Sequence, residues 1–192
     1  MSGPSAAAPP SVLVLMGVSG SGKSTTGALL AGRLGWPFRD ADSFHPPQNV
    51  DKMSRGVPLT DEDRWPWLSA IRAWIDERLS RGEPGIVSCS ALKRAYRAVL
   101  VRPGERVRLV FLKGEKSLIG ARMAARLDHF MPPALLDSQF AALEEPGANE
   151  NPLVVPVSGA PDEIAAFILK ELGLGDRARS FRPPPSGARN GA

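Results

Sequence analysis

The 192-residue chain contains one cysteine, one tyrosine and two histidines. A lone cysteine closes no internal disulfide, which fits a reducing cytosol. Its setting, Ile86-Val87-Ser88-Cys89-Ser90, suits a packed thiol better than a reactive one. No apolar stretch approaches the roughly 20 residues that a membrane helix needs, so no membrane partner is expected. The opening, Ser2 to Pro10, has neither the basic start nor the apolar centre of a signal peptide. Positive charge is also scarcer than it looks. The formal net charge is +4, but residues 176–192 hold four arginines against Asp176, a net of +3. The body is left near neutrality, with no surface for a polyanion, so no nucleic-acid partner is expected. With Pro183-Pro184-Pro185, Ser186 and Gly187, the tail has the composition of a disordered extension. These absences describe a cytoplasmic protein of one domain.

What is present is more specific. Residues 17 to 24 read Gly-Val-Ser-Gly-Ser-Gly-Lys-Ser, directly after the apolar run Val12 to Met16. This G-x-x-x-x-G-K-[ST] pattern, after a strand and before a helix, is a phosphate-binding loop. Its glycines let successive backbone N–H groups turn inward toward an anion, and the following helix adds its positive end. Gly17, Val18, Ser19, Gly20, Ser21, Gly22, Lys23, Ser24 and Thr25 are therefore the candidate ATP ligands. Lys23 reaches the outer phosphates and the Ser24 hydroxyl sits on Mg²⁺.

Short apolar strands alternate with helical patterns, which predicts an α/β fold with a parallel sheet covered on both faces. Strands are expected at Val12–Met16, Pro37–Arg39, Gly85–Cys89, Arg106–Leu112 and Pro152–Val157. Helices are expected at about Lys23–Leu34, Pro66–Arg81, Lys93–Leu100, Ser117–Leu127 and Asp162–Leu172. Asp40 to Asp63 reads as a polar, Pro-rich passage.

A phosphate loop alone does not separate a kinase from a switch or a motor. No N-K-x-D sequence for guanine occurs, and neither the third nor the fourth strand ends in the acid of an ordinary Walker B. The acids follow strand two instead, as Asp40-Ala41-Asp42, where alternation puts both carboxylates on one side of an extended chain. Strand C-terminal ends surround the ligand crevice of a doubly wound sheet. Asp40 is then placed to hold Mg²⁺ through water, and Asp42 to orient or accept a substrate hydroxyl proton. Arg122 and Arg126, four apart, share a helical face ahead of Phe130, Pro132 and Pro133, a segment suited to a lid. Arg126 would neutralise the transferring group and Arg122 the nucleotide; a solvated basic face is the plain alternative.

Several blocks together resemble the gluconokinase family: MGVSGSGKS at 16–24, DADSFHPPQNVDKM at 40–53, GVPLTDEDRWPWL at 56–68, CSALKRAYR at 89–97, LVFLKG at 109–114, RMAARLDHFMP at 122–132 and LLDSQFAALEEPGANE at 135–150. The resemblance runs from about residue 12 to 172. It implies a P-loop kinase fold of about five parallel strands with a mobile helical lid at about 122–138, in a domain spanning 11–174. Residues 1–10 and 175–192 would be disordered extensions. It further implies ATP-dependent phosphorylation of D-gluconate, Mg²⁺ as cofactor and a homodimer. A linear polyhydroxy acid needs a cation for its carboxylate and hydrogen-bonding groups for its hydroxyls. In that light Arg64 offers a bidentate fork, Lys93 and Arg97 follow strand three, and His45 adjoins the acidic pair. A lone histidine is otherwise more often structural. Gln139 and Glu144-Glu145 belong to the matching blocks without an assignable role.

Two other readings stay open: a kinase of the same architecture for shikimate or another aldonate, and a nucleotide-dependent binding protein whose basic tail meets nucleic acid. A gel shift with and without residues 176–192, repeated at raised salt, tests the latter. The tail as a solvated extension gives no shift in either form, whereas a salt-sensitive shift confined to the full chain would establish nucleic-acid binding.

Overall fold

The computed structural model describes residues 9–125 and 133–176. Strand β1 (Val12–Met16) is wholly buried and stands at the centre of a five-stranded sheet. Around it lie β2 (Phe38–Asp40), β3 (Gly85–Ser88), β4 (Val107–Lys113) and β5 (Leu153–Pro156), in the order β2-β3-β1-β4-β5, every pairing parallel. The period of two along β1 divides the core. Val12, Val14 and Met16 point to one face, where Leu68, Ile71 and Ile75 of helix α3 (Asp61–Ser80) and Tyr96 and Leu100 of α4 (Arg94–Leu100) cover them. Leu13 and Leu15 point to the other, beneath Leu30 and Leu34 of α1 (Lys23–Leu34) and Ile164 and Ile168 of α7 (Pro161–Glu171). Both faces are dry, as a parallel sheet requires. A smaller apolar group, Val18, Ile119 and Leu136, packs helices α5 (Lys116–Ala124) and α6 (Pro133–Ala142) beside the first turn after β1.

The expected strands and the helices flanking them are present with ends shifted by a residue or so. Three segments differ. The polar passage after β2 is not irregular: it holds a 3₁₀ turn, Ala41–Phe44, and helix α2 (Pro47–Ser54), with Pro47 at the N-terminal position where a missing N–H costs nothing. Helix α3 begins five residues before Pro66. The Thr60 side chain accepts from the Asp63 N–H while Asp63 accepts from the Thr60 N–H, a reciprocal cap that starts the helix at Asp61 and carries Pro66 inside it. Helix α6 overlaps the end of the expected helical lid and runs four residues beyond it. Of the expected lid, 122–124 belong to the end of α5, Ala125 is its C-cap and 133–138 belong to α6, while 126–132 lie outside the described residues, as do 1–8 and 177–192 of the expected disordered ends.

Close approach at Gly27 in α1 sets where β2 lies, because a Cβ there would meet the Phe38 ring at 2.4 Å. Gly27→Ala is expected to lower stability by ~1–2 kcal/mol despite alanine's better helix propensity. Urea denaturation measures this; an unchanged midpoint would mean that the Phe38 ring moves aside freely.

Candidate active site

The chain leaves β1 at Gly17, whose φ of +147° and surroundings admit no side chain: a Cβ would lie 2.7 Å from Ser21 Oγ and 2.8 Å from the Leu112 carbonyl. Gly22, left-handed at φ 93°, is the N-cap of α1. The loop therefore curls tightly and delivers its amides to the start of a helix, the geometry that binds anions. Lys23 bends back so that Nζ donates to the Val18 carbonyl at 3.0 Å. Burial lowers its pKa, opposed by Cys89 and by the Asp40 and Asp42 carboxylates. A cavity of about 460 Å³ opens over this loop, lined by Lys23, Ser24, Asp40, Asp42, Cys89 and Gln139 among others. At its floor the Cys89 thiol is buried, and that burial pushes its pKa up to about 12.

Asp40 ends β2 in register with Ser88 of β3. One carboxylate oxygen accepts the Ser24 hydroxyl at 2.6 Å, and the other accepts the Asp42 N–H at 3.2 Å, capping the 3₁₀ turn. The expectation of an extended Asp40-Ala41-Asp42 is corrected here. Only Asp40 is in the strand, because its own side chain draws the following amides into a turn. The Trp67 indole N–H donates to the Ala41 carbonyl at 2.7 Å, fixing that turn against α3. Both carboxylates nonetheless line the cavity that holds Lys23. Paired with a serine hydroxyl beside a phosphate loop, Asp40 offers the hard oxygen donors that Mg²⁺ prefers, and a site that completes its shell with phosphates and water needs no more. The residues present fit that ion.

Beyond Trp67 lies a second group of candidates. The His45 ring stacks on the Trp67 indole, centroids 4.5 Å apart and planes within 9°. Burial lowers its pKa, with Asp42 opposing and Arg64 assisting, so the ring is neutral at pH 7. Lys93 grips both oxygens of Asp61 at 2.6 and 2.9 Å, and the Tyr96 hydroxyl donates to the same carboxylate. Arg64 stands 3.5 Å from Asp61 and from the Tyr96 oxygen. Hydrogen bonds from Lys93 and then Tyr96 hold the Asp61 carboxyl below the usual range, and Asp61 in turn raises Lys93. Two cations thus share one anion, which leaves a single positive charge uncompensated.

Two residues are engaged elsewhere than at the cavity. Arg97 is buried and every nitrogen of its guanidinium donates, Nε and Nη2 to the two Glu150 oxygens at 2.6 and 2.9 Å and Nη1 to the carbonyls of Ala91, Leu92 and Glu144. These bonds support the chain after β3. Arg122 donates to the Gly159 carbonyl at 3.4 Å, tying α5 to the loop ahead of α7, and does not line the cavity. Arg126 lies outside the described residues. Conversely, Gln139 of α6, left unassigned by sequence, accepts the Ser19 N–H of the phosphate loop at 2.6 Å, and Glu144 accepts the Arg94 N–H at the start of α4. Only a fold that brings 139 back to 19 reveals the first contact; its one sequence signal is membership of a matching block.

An AAA domain family model matches residues 12–146. The chain is 44% identical over 180 residues to a probable gluconokinase of Mus musculus, covering 85% of this chain and 98% of that protein. It is 43% identical over 169 residues to a gluconokinase of Gluconobacter oxydans, covering 87% and 94%. A solved gluconokinase from Sinorhizobium meliloti superposes with a TM-score of 0.75 at 46% identity, over 90% of this chain and 98% of that one.

The Arg97 geometry separates a supporting role from a binding one. Arg97→Met leaves Glu150 and three carbonyls without their donor, and is expected to cost about 3–5 kcal/mol of stability. Glu150 titrates below its ordinary 4.5, chiefly because Arg97 donates to it. That contribution is complete above pH 4.5 and disappears as pH falls through the lower folded value. Melting temperature against pH should therefore fall on the acid side in the wild type and start low and flatter in the variant. A variant of normal stability with a raised KM would return Arg97 to the substrate ligands.

Proposed function

Since the chain belongs to the gluconokinase family, a family of P-loop phosphotransferases, we propose that it transfers the γ-phosphoryl group of ATP to the terminal hydroxyl of D-gluconate, giving 6-phospho-D-gluconate. The observation that carries this reading is the convergence of a phosphate loop, a Ser24–Asp40 pair and the Asp42 carboxylate on one cavity. Beside it, Arg64 and Lys93 retain one positive charge after pairing with Asp61.

In the reaction, Lys23 and the loop amides hold the β- and γ-phosphates in place of water. Ser24 and Asp40 would hold Mg²⁺, and the ion would supply charge to offset that of the phosphate oxygens. Arg64 and Lys93 receive the single carboxylate of the acid, since their residual charge is neutralised by a monoanion. The neutral His45 ring, braced on Trp67, donates or accepts at a hydroxyl. Asp42 orients the terminal hydroxyl and takes its proton as the new O–P bond forms, and the bond to the leaving ADP oxygen breaks. Arg126 is proposed to close over the transferring group. The chain works in the cytoplasm, as a homodimer, on small molecules; among the described residues no helix is long and apolar enough to cross a membrane.

Asp42→Asn keeps the shape of the site and removes the proton acceptor. It is expected to lower kcat by about two orders of magnitude or more, with the Kd for ATP nearly unchanged. ADP release measured across a panel of sugar acids checks both points. Normal turnover in the variant would end the role given to Asp42, and silence with gluconate alongside activity on another acid would end the substrate assignment.

A further inference from the structure

At the opposite end of the sheet from the phosphate loop lies a second cavity, of about 370 Å³. It is framed by the C-terminal end of α4, the turn into β4 and the 3₁₀ turn Ala148–Glu150 ahead of β5. Its position follows from the register: Val107, which lines it, pairs with Val12 at the start of β1, whereas the nucleotide loop follows the far end of that strand.

The charge on this cavity is not balanced. Four arginines and two glutamates line it, Arg94, Arg97, Arg102, Arg108, Glu105 and Glu150. Glu150 is taken by Arg97, and Glu105 accepts two hydrogen bonds from the buried Arg72. No hydrogen bond or ion pair engages the guanidinium groups of Arg94, Arg102 or Arg108 among the described residues. The Nε–H of Arg108 is moreover buried without an acceptor. A donor shut away from water and left unpaired costs more than an ordinary hydrogen bond gains. Arg94 acts at a distance on Glu150, and Arg102 on Asp76, but both carboxylates already accept from Arg97 and Arg72, so the cavity lining keeps a positive excess that an anion would offset. Planar guanidinium groups match the oxygens of a phosphate two at a time.

We propose that this cavity is a second anion site, separate from the nucleotide site, which takes a small phosphate-bearing molecule. Arg102 and Arg108 hold the phosphate from the β4 side and Arg94 closes on it from α4. The tail arginines are not needed, because the cavity's own arginines supply the charge.

The test uses inorganic phosphate at pH 8, where it is a dianion, against chloride of matched ionic strength. The full-length protein is first saturated with MgADP and gluconate, so that the loop and acceptor sites are filled. Isothermal calorimetry should then show one phosphate per chain in the wild type. Binding should weaken at least tenfold in Arg102→Ser/Arg108→Gln, whose melting temperature and kinase rate without added phosphate should match the wild type. Should that double variant fold poorly, Arg94→Ser on the exposed rim carries the same test, with an expected loss of severalfold. A wild type that binds no phosphate once the other sites are filled would overturn the proposal, and so would a folded variant that binds it undiminished.

Discussion

The contact between Ser24 and Asp40 is the joint on which the site depends. It links the first turn of α1 to the last residue of β2, two segments brought together because α1 packs across β3 and β2. Asp40 does three things there. It holds the serine hydroxyl, caps the turn that places Asp42, and adds negative charge near a lysine whose burial disfavours ionisation. The close fit of Gly27 on Phe38 sets the height of that joint. Packing on one face of the sheet therefore decides the chemistry at its edge.

Basic residues in this chain divide by what they face. Arg72 and Arg97 are buried, each tied to carboxylates and carbonyls, and they act as cross-braces between helices and loops. Removing either leaves buried acceptors unanswered, so their value lies in avoided cost more than in attraction. Arg64 and Lys93 are half-exposed and share a partner, and shared partners leave charge available. Lys93 and Arg97 are four positions apart in sequence, yet one faces Asp61 and the other the interior.

The sheet, its order of elements and the phosphate loop were legible because they rest on local signals: apolar runs, period-two burial and glycine spacing. Asp40, Asp42 and Lys23 could be brought together on the rule that strand ends surround the crevice. Segments governed by side-chain capping were not legible in the same way. The 3₁₀ turn after β2 exists because Asp40 captures the Asp42 amide, and the start of α3 because Thr60 and Asp63 cap one another. In both places a proline-rich composition pointed elsewhere. The partners of Arg97 were not legible either, because Glu150 and the Glu144 carbonyl are about fifty residues away in the chain. Gln139 was beyond reach, since its partner is 120 residues away.

Burial of the thiol at the cavity floor has a consequence for chemical durability. Oxidants and alkylating reagents attack sulfur in its ionised form, and a group held near 12 supplies almost none of it at neutral pH. The cavity over the phosphate loop thus contains the chain's one sulfhydryl without presenting it as a thiolate. Reagents selective for ionised cysteine would leave this thiol untouched while the chain is folded.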